Sequence, residues 1–237
     1  MRLYKKVTIF LFVFLFGISV HAQINVSNRI IESTVGLLWE ASSYTPPFYK
    51  GKALYGKGTR MVIVAYPPSS LGNPDSLTYT WKKDGIVDGE QSGVGKQSFT
   101  LYEKMFGDTS IVVVEISNGT EKEYGALSIH QETPFILFYE HRPLDGVVLE
   151  KALFSDIIVK PGSFTLEAYP YFFSGTSRMS DSLTYSWSVN HKKIEGANGP
   201  SLSLESLEKS SVLIEVSVNN PDHILEYARN TIKVSFE

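Results

Sequence analysis

The feature that most constrains this chain is a seven-residue stretch that occurs twice. Asp75-Ser76-Leu77-Thr78-Tyr79-Thr80-Trp81 returns as Asp181-Ser182-Leu183-Thr184-Tyr185-Ser186-Trp187, and only Thr80 and Ser186 differ. In both copies Leu, Tyr and Trp fall at every second position, with hydroxyl residues between them. A period of two belongs to a β-strand with one face buried and one face wet. The chain is therefore expected to contain two β modules, with Tyr79 and Trp81 in one core and Tyr185 and Trp187 in the other.

The surrounding motifs repeat in the same order, at an offset of about 100 residues, the size of one sandwich domain. Leu37-Leu38-Trp39-Glu40 is answered by Ile136-Leu137-Phe138-Tyr139-Glu140, and Gly51-Lys52-Ala53-Leu54 by Glu150-Lys151-Ala152-Leu153. Ala65-Tyr66-Pro67 returns as Ala168-Tyr169-Pro170. The strand Ile111–Ser117 is matched by Val212–Ser217, each with a glutamate, Glu115 and Glu215, at what reads as the same outward position. Pointing Val112, Val114 and Ile116 inward leaves Glu115 in water, and Ile214 is taken as the counterpart of Val114. Asp84-Gly85 and Asn118-Gly119 are hairpin turns, and a brief helical turn is allowed between Gln91 and Lys104. The strands and turns give an all-β fold class, two tandem β-sandwiches, expected to follow an N-terminal signal peptide. The expected division is 1–22 signal, 23–35 linker or edge strand, 36–131 first repeat and 132–237 second repeat, with the junction at His130–Pro134.

Arg2, Lys5 and Lys6 precede an apolar run from Val7 to Val20, and Val20-His21-Ala22 offers the small residues that a signal peptidase inspects. The run is shorter than the roughly 20 residues of a spanning helix, which favours a removable signal over a retained anchor. The reading is an exported protein, periplasmic, cell-surface or extracellular, with no membrane insertion after signal removal. Losing the signal removes three of the 22 Lys and Arg, leaving 19 against 25 Asp and Glu, a net charge of −6. That balance argues against nucleic acid as a partner. The chain has no cysteine, which excludes thiol catalysis and cysteine metal sites and leaves stability to the apolar cores.

With the motifs in place, the chain resembles the tandem immunoglobulin-like and PKD-type repeats of exported bacterial surface proteins. The likeness rests on the Trp81 and Trp187 strands, the Lys83-Asp84-Gly85 turn, the strands around Val114 and Ile214, and the Tyr139-Glu140…Pro143-Leu144 junction. Two family features are missing: the Trp-Asp-Phe-Gly-Asp-Gly signature of PKD repeats, and the Cys pair that flanks the Trp in antibody domains. The resemblance implies adhesion, spacing or assembly at a cell surface, with a protein or glycan partner, and fold resemblance alone does not fix function.

No catalytic residue and no cofactor is expected. His130, His141, His191 and His223 stand singly, and His141 and His191 read as solvated loop histidines. Asn73, Asp75, Asp84, Asp88, Asp181, Asn219, Asn220 and Asp222 read as turn formers before calcium ligands. The aromatic segments remain. Tyr44, Phe48 and Tyr49 flank Pro46-Pro47, and Phe172-Phe173, which follows Tyr169-Pro170-Tyr171, has no counterpart in the first repeat. These five rings are the candidate contacts for a partner or a glycan, with burial at a sandwich end or between the modules as the other reading.

Overall fold

The computed structural model describes residues 33–102 and 107–237; the expected signal peptide and most of the linker after it lie outside the described residues. These residues form one compact unit made of two β-sandwiches. Module one runs through β1 (Gly36–Ala41), β2 (Arg60–Tyr66), β3 (Thr78–Lys83), β4 (Ile86–Val87), β5 (Gly93–Val94), β6 (Ser98–Tyr102), β7 (Thr109–Ser117) and β8 (Lys122–His130). One sheet has the order β1-β2-β6; the other is β4-β3-β7-β8, with β5 also on β3. Module two contains β9 (Phe135–Arg142), β10 (Gly146–Val147), β11 (Ile157–Val159), β12 (Gly162–Tyr171), β13 (Thr184–Val189), β14 (Lys192–Lys193), β15 (Ser201–Ser206), β16 (Ser210–Asn220) and β17 (His223–Phe236). Its sheets are β10-β9-β12-β15 and β11-β17-β16-β13-β14.

Alternation of side chains builds both cores. Tyr79, Trp81, Val112, Val114 and Ile116 are buried in module one, and Tyr185, Trp187, Ile214, Val216 and Val218 in module two. Each tryptophan also spends its one donor: Trp81 Nε1 donates to the Lys96 carbonyl at 2.9 Å, and Trp187 Nε1 to the Gly199 carbonyl at 2.8 Å. The tyrosine hydroxyls reach back to the loop before their strand, Tyr79 to the Pro74 carbonyl at 3.2 Å and Tyr185 to the Arg178 carbonyl at 2.7 Å. A buried ring with a satisfied polar tip fixes both depth and orientation of its strand.

The hairpin after each Trp strand is also duplicated, with different residues. Asp84 and Gly85 (φ 50° and 84°) make the turn in module one, and Asn190 and His191 (φ 49° and 65°) make it in module two. Asp84 Oδ1 accepts the Ile111 N–H, and Asn190 Oδ1 accepts the Leu213 N–H, each at 2.9 Å. Those bonds set the true register of the following strand. Trp81 lies opposite Val114, whereas Trp187 lies opposite Val216. Val216 is therefore the counterpart of Val114, and Ile214, although buried, is that of Val112. Glu115 and Glu215 are not equivalent either: Glu115 faces Thr80 and pairs with Lys122 at 2.6 Å, while Glu215 faces Ser188, with Arg229 at 3.6 Å.

One further expectation is corrected. The helical turns are single 3-10 turns at Ser69–Leu71 and Pro74–Ser76, before the Trp81 strand, where Asn73 caps the second through Oδ1. From Gln91 to Tyr102 the chain is turn and strand. No helix among the described residues is long and apolar enough to cross a membrane.

Candidate functional site: the joint between the modules

The segment Ser42–Tyr55, between β1 and β2, does not stay on its own sandwich. Its prolines deny it a place in a sheet, and it extends over the outer face of the β9-β12 sheet of module two. Phe48 stands edge-on to Tyr139 and Tyr169, with ring centroids 5.4 and 5.2 Å away. Tyr49 does the same to Tyr171 and Phe172, at 5.7 and 6.1 Å. Edge-on rings at these distances gain electrostatically as well as by burial, about 0.5–1.5 kcal/mol a pair beyond area. Leu54, Leu137, Val147 and Ala152 pack against the same cluster.

Backbone bonds lock the arm down. The Tyr44 N–H donates to the Phe173 carbonyl at 2.6 Å, and the Phe172 N–H donates to the Tyr44 carbonyl at 2.8 Å. Behind the arm, the Glu132 N–H donates to the Tyr55 carbonyl and the Lys57 N–H to the Glu132 carbonyl, a parallel bridge at Gly56. Gly56 packs so closely that a Cβ there would collide with the Phe172 carbonyl oxygen.

Phe172 explains how three successive rings serve two cores. Its φ of 62° is a left-handed conformation that costs a bulky residue about 1–3 kcal/mol. The break in alternation lets Tyr171 and Phe172 both join the joint while Phe173 turns into the core of module two. Glu226, fully buried, holds the exit from this bend by accepting from the Ser174 N–H and from Ser174 Oγ.

Beside the rings lies a second buried carboxylate, Glu167 on β12, 3% exposed. Its Oε1 accepts from His141 Nδ1 at 2.9 Å, and its Oε2 from Arg178 at 2.6 Å and Ser201 Oγ at 2.7 Å. Arg178 also lies over the Tyr169 ring, 4.4 Å from its centroid. Burial pushes the Glu167 carboxyl up, but the bonds from Ser201, Arg178 and His141 outweigh it and hold the group below the usual carboxylate range. Burial raises the Tyr44, Tyr169 and Tyr171 hydroxyls, and at Tyr44 the Arg178 backbone and charge pull partly the other way. The phenols therefore stay neutral inside the joint, around one ionised and saturated carboxylate. Ser201 and His141 both bind Glu167, so the trio lacks the hydroxyl-to-imidazole contact that would activate a nucleophile.

Of the five candidate contact rings, Phe173 is wholly buried in the core of module two and Phe172 is buried in the joint. Tyr44, Phe48 and Tyr49 are half-buried in the same joint. Phe48 and Tyr49 are engaged edge-on by rings of the neighbouring module, and Tyr44 is tied to Phe172 and Phe173 through its backbone. His141 is a further correction: it stands on β9, bonded to a buried acid, and is not a loop histidine. Sequence reasoning missed Glu167, Arg178, Ser201 and Glu226. A glutamate beside Ala168-Tyr169 was the visible sign, since alternation puts it on the same face as the tyrosine.

Among the described residues no group of three or more His, Asp or Glu is placed to hold a metal ion. Asn73, Asp84, Asp88 and Asn220 each accept a backbone N–H through the side chain, as turn residues do.

No family model matches this chain, and no curated protein matches it. Solved structures with a similar chain path include three N-terminal domains of the bacteriophage RB49 Highly Immunogenic Outer Capsid protein, at 16% identity and a TM-score of 0.47. That match covers 86% of this chain and 59% of the phage chain, so this chain spans less than two thirds of its length. Fibronectin(III)-like modules of Clostridium thermocellum CbhA match at 9% identity, with 86% and 94% coverage and a TM-score of 0.32. SGBP-B of the Bacteroides ovatus mixed-linkage glucan utilization locus, in complex with a mixed-linkage heptasaccharide, matches at 14% identity, with 85% and 47% coverage and a TM-score of 0.28. At such values these likenesses carry nothing about ligand or partner, and the fold class stands on the strand pairing itself.

Proposed function

We propose that this protein is a non-enzymatic, exported surface or assembly module whose two immunoglobulin-like sandwiches act as one stiff spacer. The observation that carries the reading is the arm Ser42–Tyr55, seated on the outer sheet face of module two by ring contacts and by two backbone bonds at Tyr44. A linker of a few residues alone would leave the modules free to swing; an arm that buries rings on its neighbour removes that freedom. The saturation of Glu167 supports a holding role, since a carboxylate kept ionised by three donors is a poor proton-transfer group near neutral pH. Export is supported by the basic residues, the apolar run and the Val20-His21-Ala22 site, which lie outside the described residues. The glycan-binding alternative for Tyr44, Phe48 and Tyr49 is the weaker reading, because Phe48 and Tyr49 already pack on Tyr139, Tyr169, Tyr171 and Phe172 and the Tyr44 backbone is bonded to Phe172 and Phe173.

The test is backbone ¹⁵N relaxation on the protein lacking residues 1–22. One correlation time and one diffusion tensor for both modules is the expected result. Separate tumbling of β1–β8 and β9–β17 would remove the spacer reading.

A further inference from the structure

Each module ends one sheet on an edge strand, β6 in module one and β15 in module two, and only β6 is closed off. The two edges correspond residue by residue. The Ala65 N–H donates to the Gln97 carbonyl at 2.9 Å, and the Ala168 N–H to the Pro200 carbonyl at 2.7 Å. Thr100 on β6 therefore answers Ser203 on β15. In an antiparallel ladder, successive residues turn their N–H and C=O to opposite sides of the strand. Those of Thr100 and Ser203 point away from β2 and β12, out of the sheet.

In module one a side chain takes that place. Gln91 Oε1 accepts the Thr100 N–H at 2.6 Å, and Gln91 Nε2 donates to the Thr100 carbonyl at 3.1 Å. A primary amide offers the same donor and acceptor as a peptide group, so Gln91 stands in for one residue of a further strand. Asp88 holds it there, accepting from Gln91 Nε2 at 2.9 Å and from the Gln91 N–H at 3.0 Å. Module two has no such stopper. The Asp88 N–H donates to the Trp81 carbonyl as the Ile194 N–H does to that of Trp187, which makes Ile194 the counterpart of Asp88. The loop from Ile194 to Pro200 is shorter than that from Asp88 to Gln97 and carries no glutamine. Ser201, Ser203 and Glu205 are exposed, and their outward backbone groups meet no partner among the described residues. An open edge of this kind is a template for another strand.

We propose that β15 pairs antiparallel with β15 of a second copy of this chain, about a two-fold axis at Ser203. In that register Ser203 faces Ser203, Ser201 faces Glu205, and Leu202 faces Leu204 on the inward side. Every outward N–H and C=O of Ser201, Ser203 and Glu205 then finds its complement. Charge favours the same occupant. Arg178 and Ser201 Oγ share one oxygen of Glu167, so a guanidinium stands beside Ser201, within reach of the Glu205 that pairing brings opposite. Centring the pair on Glu205 instead would set carboxylate against carboxylate. Ser201 lies nearer than Ser206 to the Tyr171 end of β12, where module one is joined. An antiparallel dimer therefore carries its joints at opposite ends, and its first modules point apart. The contact is isologous and closes at two copies. It is also small, so the dimer is weak and fills only as concentration rises.

Sedimentation velocity over a concentration series, on the protein lacking residues 1–22, is the experiment, with amide hydrogen exchange on the same samples. The wild type is expected to pass from monomer to dimer, and exchange at the Ser203 amide to slow as the dimer fills. Ser203→Pro removes an N–H that bonds to nothing in its own chain and is expected to abolish the dimer; near-UV circular dichroism checks that the cores persist. Ser203→Lys and Ser203→Glu are each expected to stay monomeric, because each meets its own charge at the axis. An equimolar mixture of those two is expected to dimerise again. A wild type that is monomeric throughout overturns the proposal, as does a dimer that survives Ser203→Pro. Species that grow past the dimer, or a dimer that leaves Ser203 exchange unchanged, would place the contact elsewhere and overturn it equally.

Discussion

Trp81 and Trp187 show how much one side chain can decide. Each is fully buried and each donates its indole N–H to a loop carbonyl, so each anchors both a strand and the loop behind it. Replacing either by Ala opens a cavity and leaves that carbonyl without its donor. Trp81→Ala and Trp187→Ala are each expected to cost about 3–5 kcal/mol. Urea unfolding followed by tyrosine fluorescence and far-UV circular dichroism measures the loss, and an unchanged midpoint would contradict the core assignment. These residues were legible in the sequence, because Leu-x-Tyr-x-Trp admits one buried face. Phe172 was not legible. Nothing in Tyr171-Phe172-Phe173 announces that the middle residue takes a left-handed conformation, in which it meets the arm of module one at Tyr44.

At the scale of elements, Glu167 ties three strands and a loop: β12 carries it, β9 brings His141, β15 opens with Ser201, and the loop after β12 supplies Arg178. Its carboxyl is held below the ordinary value of 4.5, so the unfolded chain binds this proton more readily than the folded one. Its contribution is therefore complete above about pH 4.5 and drains away as pH falls through the lower folded value. Glu167→Gln is expected to lower stability at neutral pH and to flatten the fall of stability below pH 4.5. A series of urea midpoints at stepped pH reads both, and parallel curves for wild type and variant would count against the role. The identity of this element pair was only half legible. Alternation puts Glu167 on the tyrosine's face, but nothing local says that the face is covered by residues far back in the chain. Register failed for the same reason: Glu115 and Glu215 align as letters, while pairing across from the tryptophans, fixed by Asp84 and Asn190, shifts them apart.

At the scale of the whole molecule, two cores that each satisfy the sandwich pattern become one body through the joint. The backbone of Gly56 meets that of Phe172 with no room for a methyl group. Gly56→Ala must push the modules apart or displace the bend, at about 1–3 kcal/mol. Wild-type thermal unfolding is expected to be a single transition, with calorimetric and van't Hoff enthalpies equal. In Gly56→Ala it is expected to split in two, as each sandwich melts alone. A variant that still melts as one unit would mean that the parallel bridge and arm do not couple the cores. The composition and repeat made two sandwiches readable; the coupling was not, because it depends on which surface of one module the loop of the other selects.

The arm also sets an order of events in biosynthesis. Tyr44, Phe48 and Tyr49 are made long before the strands β9 and β12 on which they come to rest. While the first sandwich can close on its own core, its arm has no binding face until the second has been synthesised and paired. During that interval the growing chain carries unshielded rings next to prolines, a natural target for a holding chaperone and a hazard if synthesis stalls. A fragment truncated after His130 would keep this condition permanently, and would be the sticky half of a molecule whose finished form hides it.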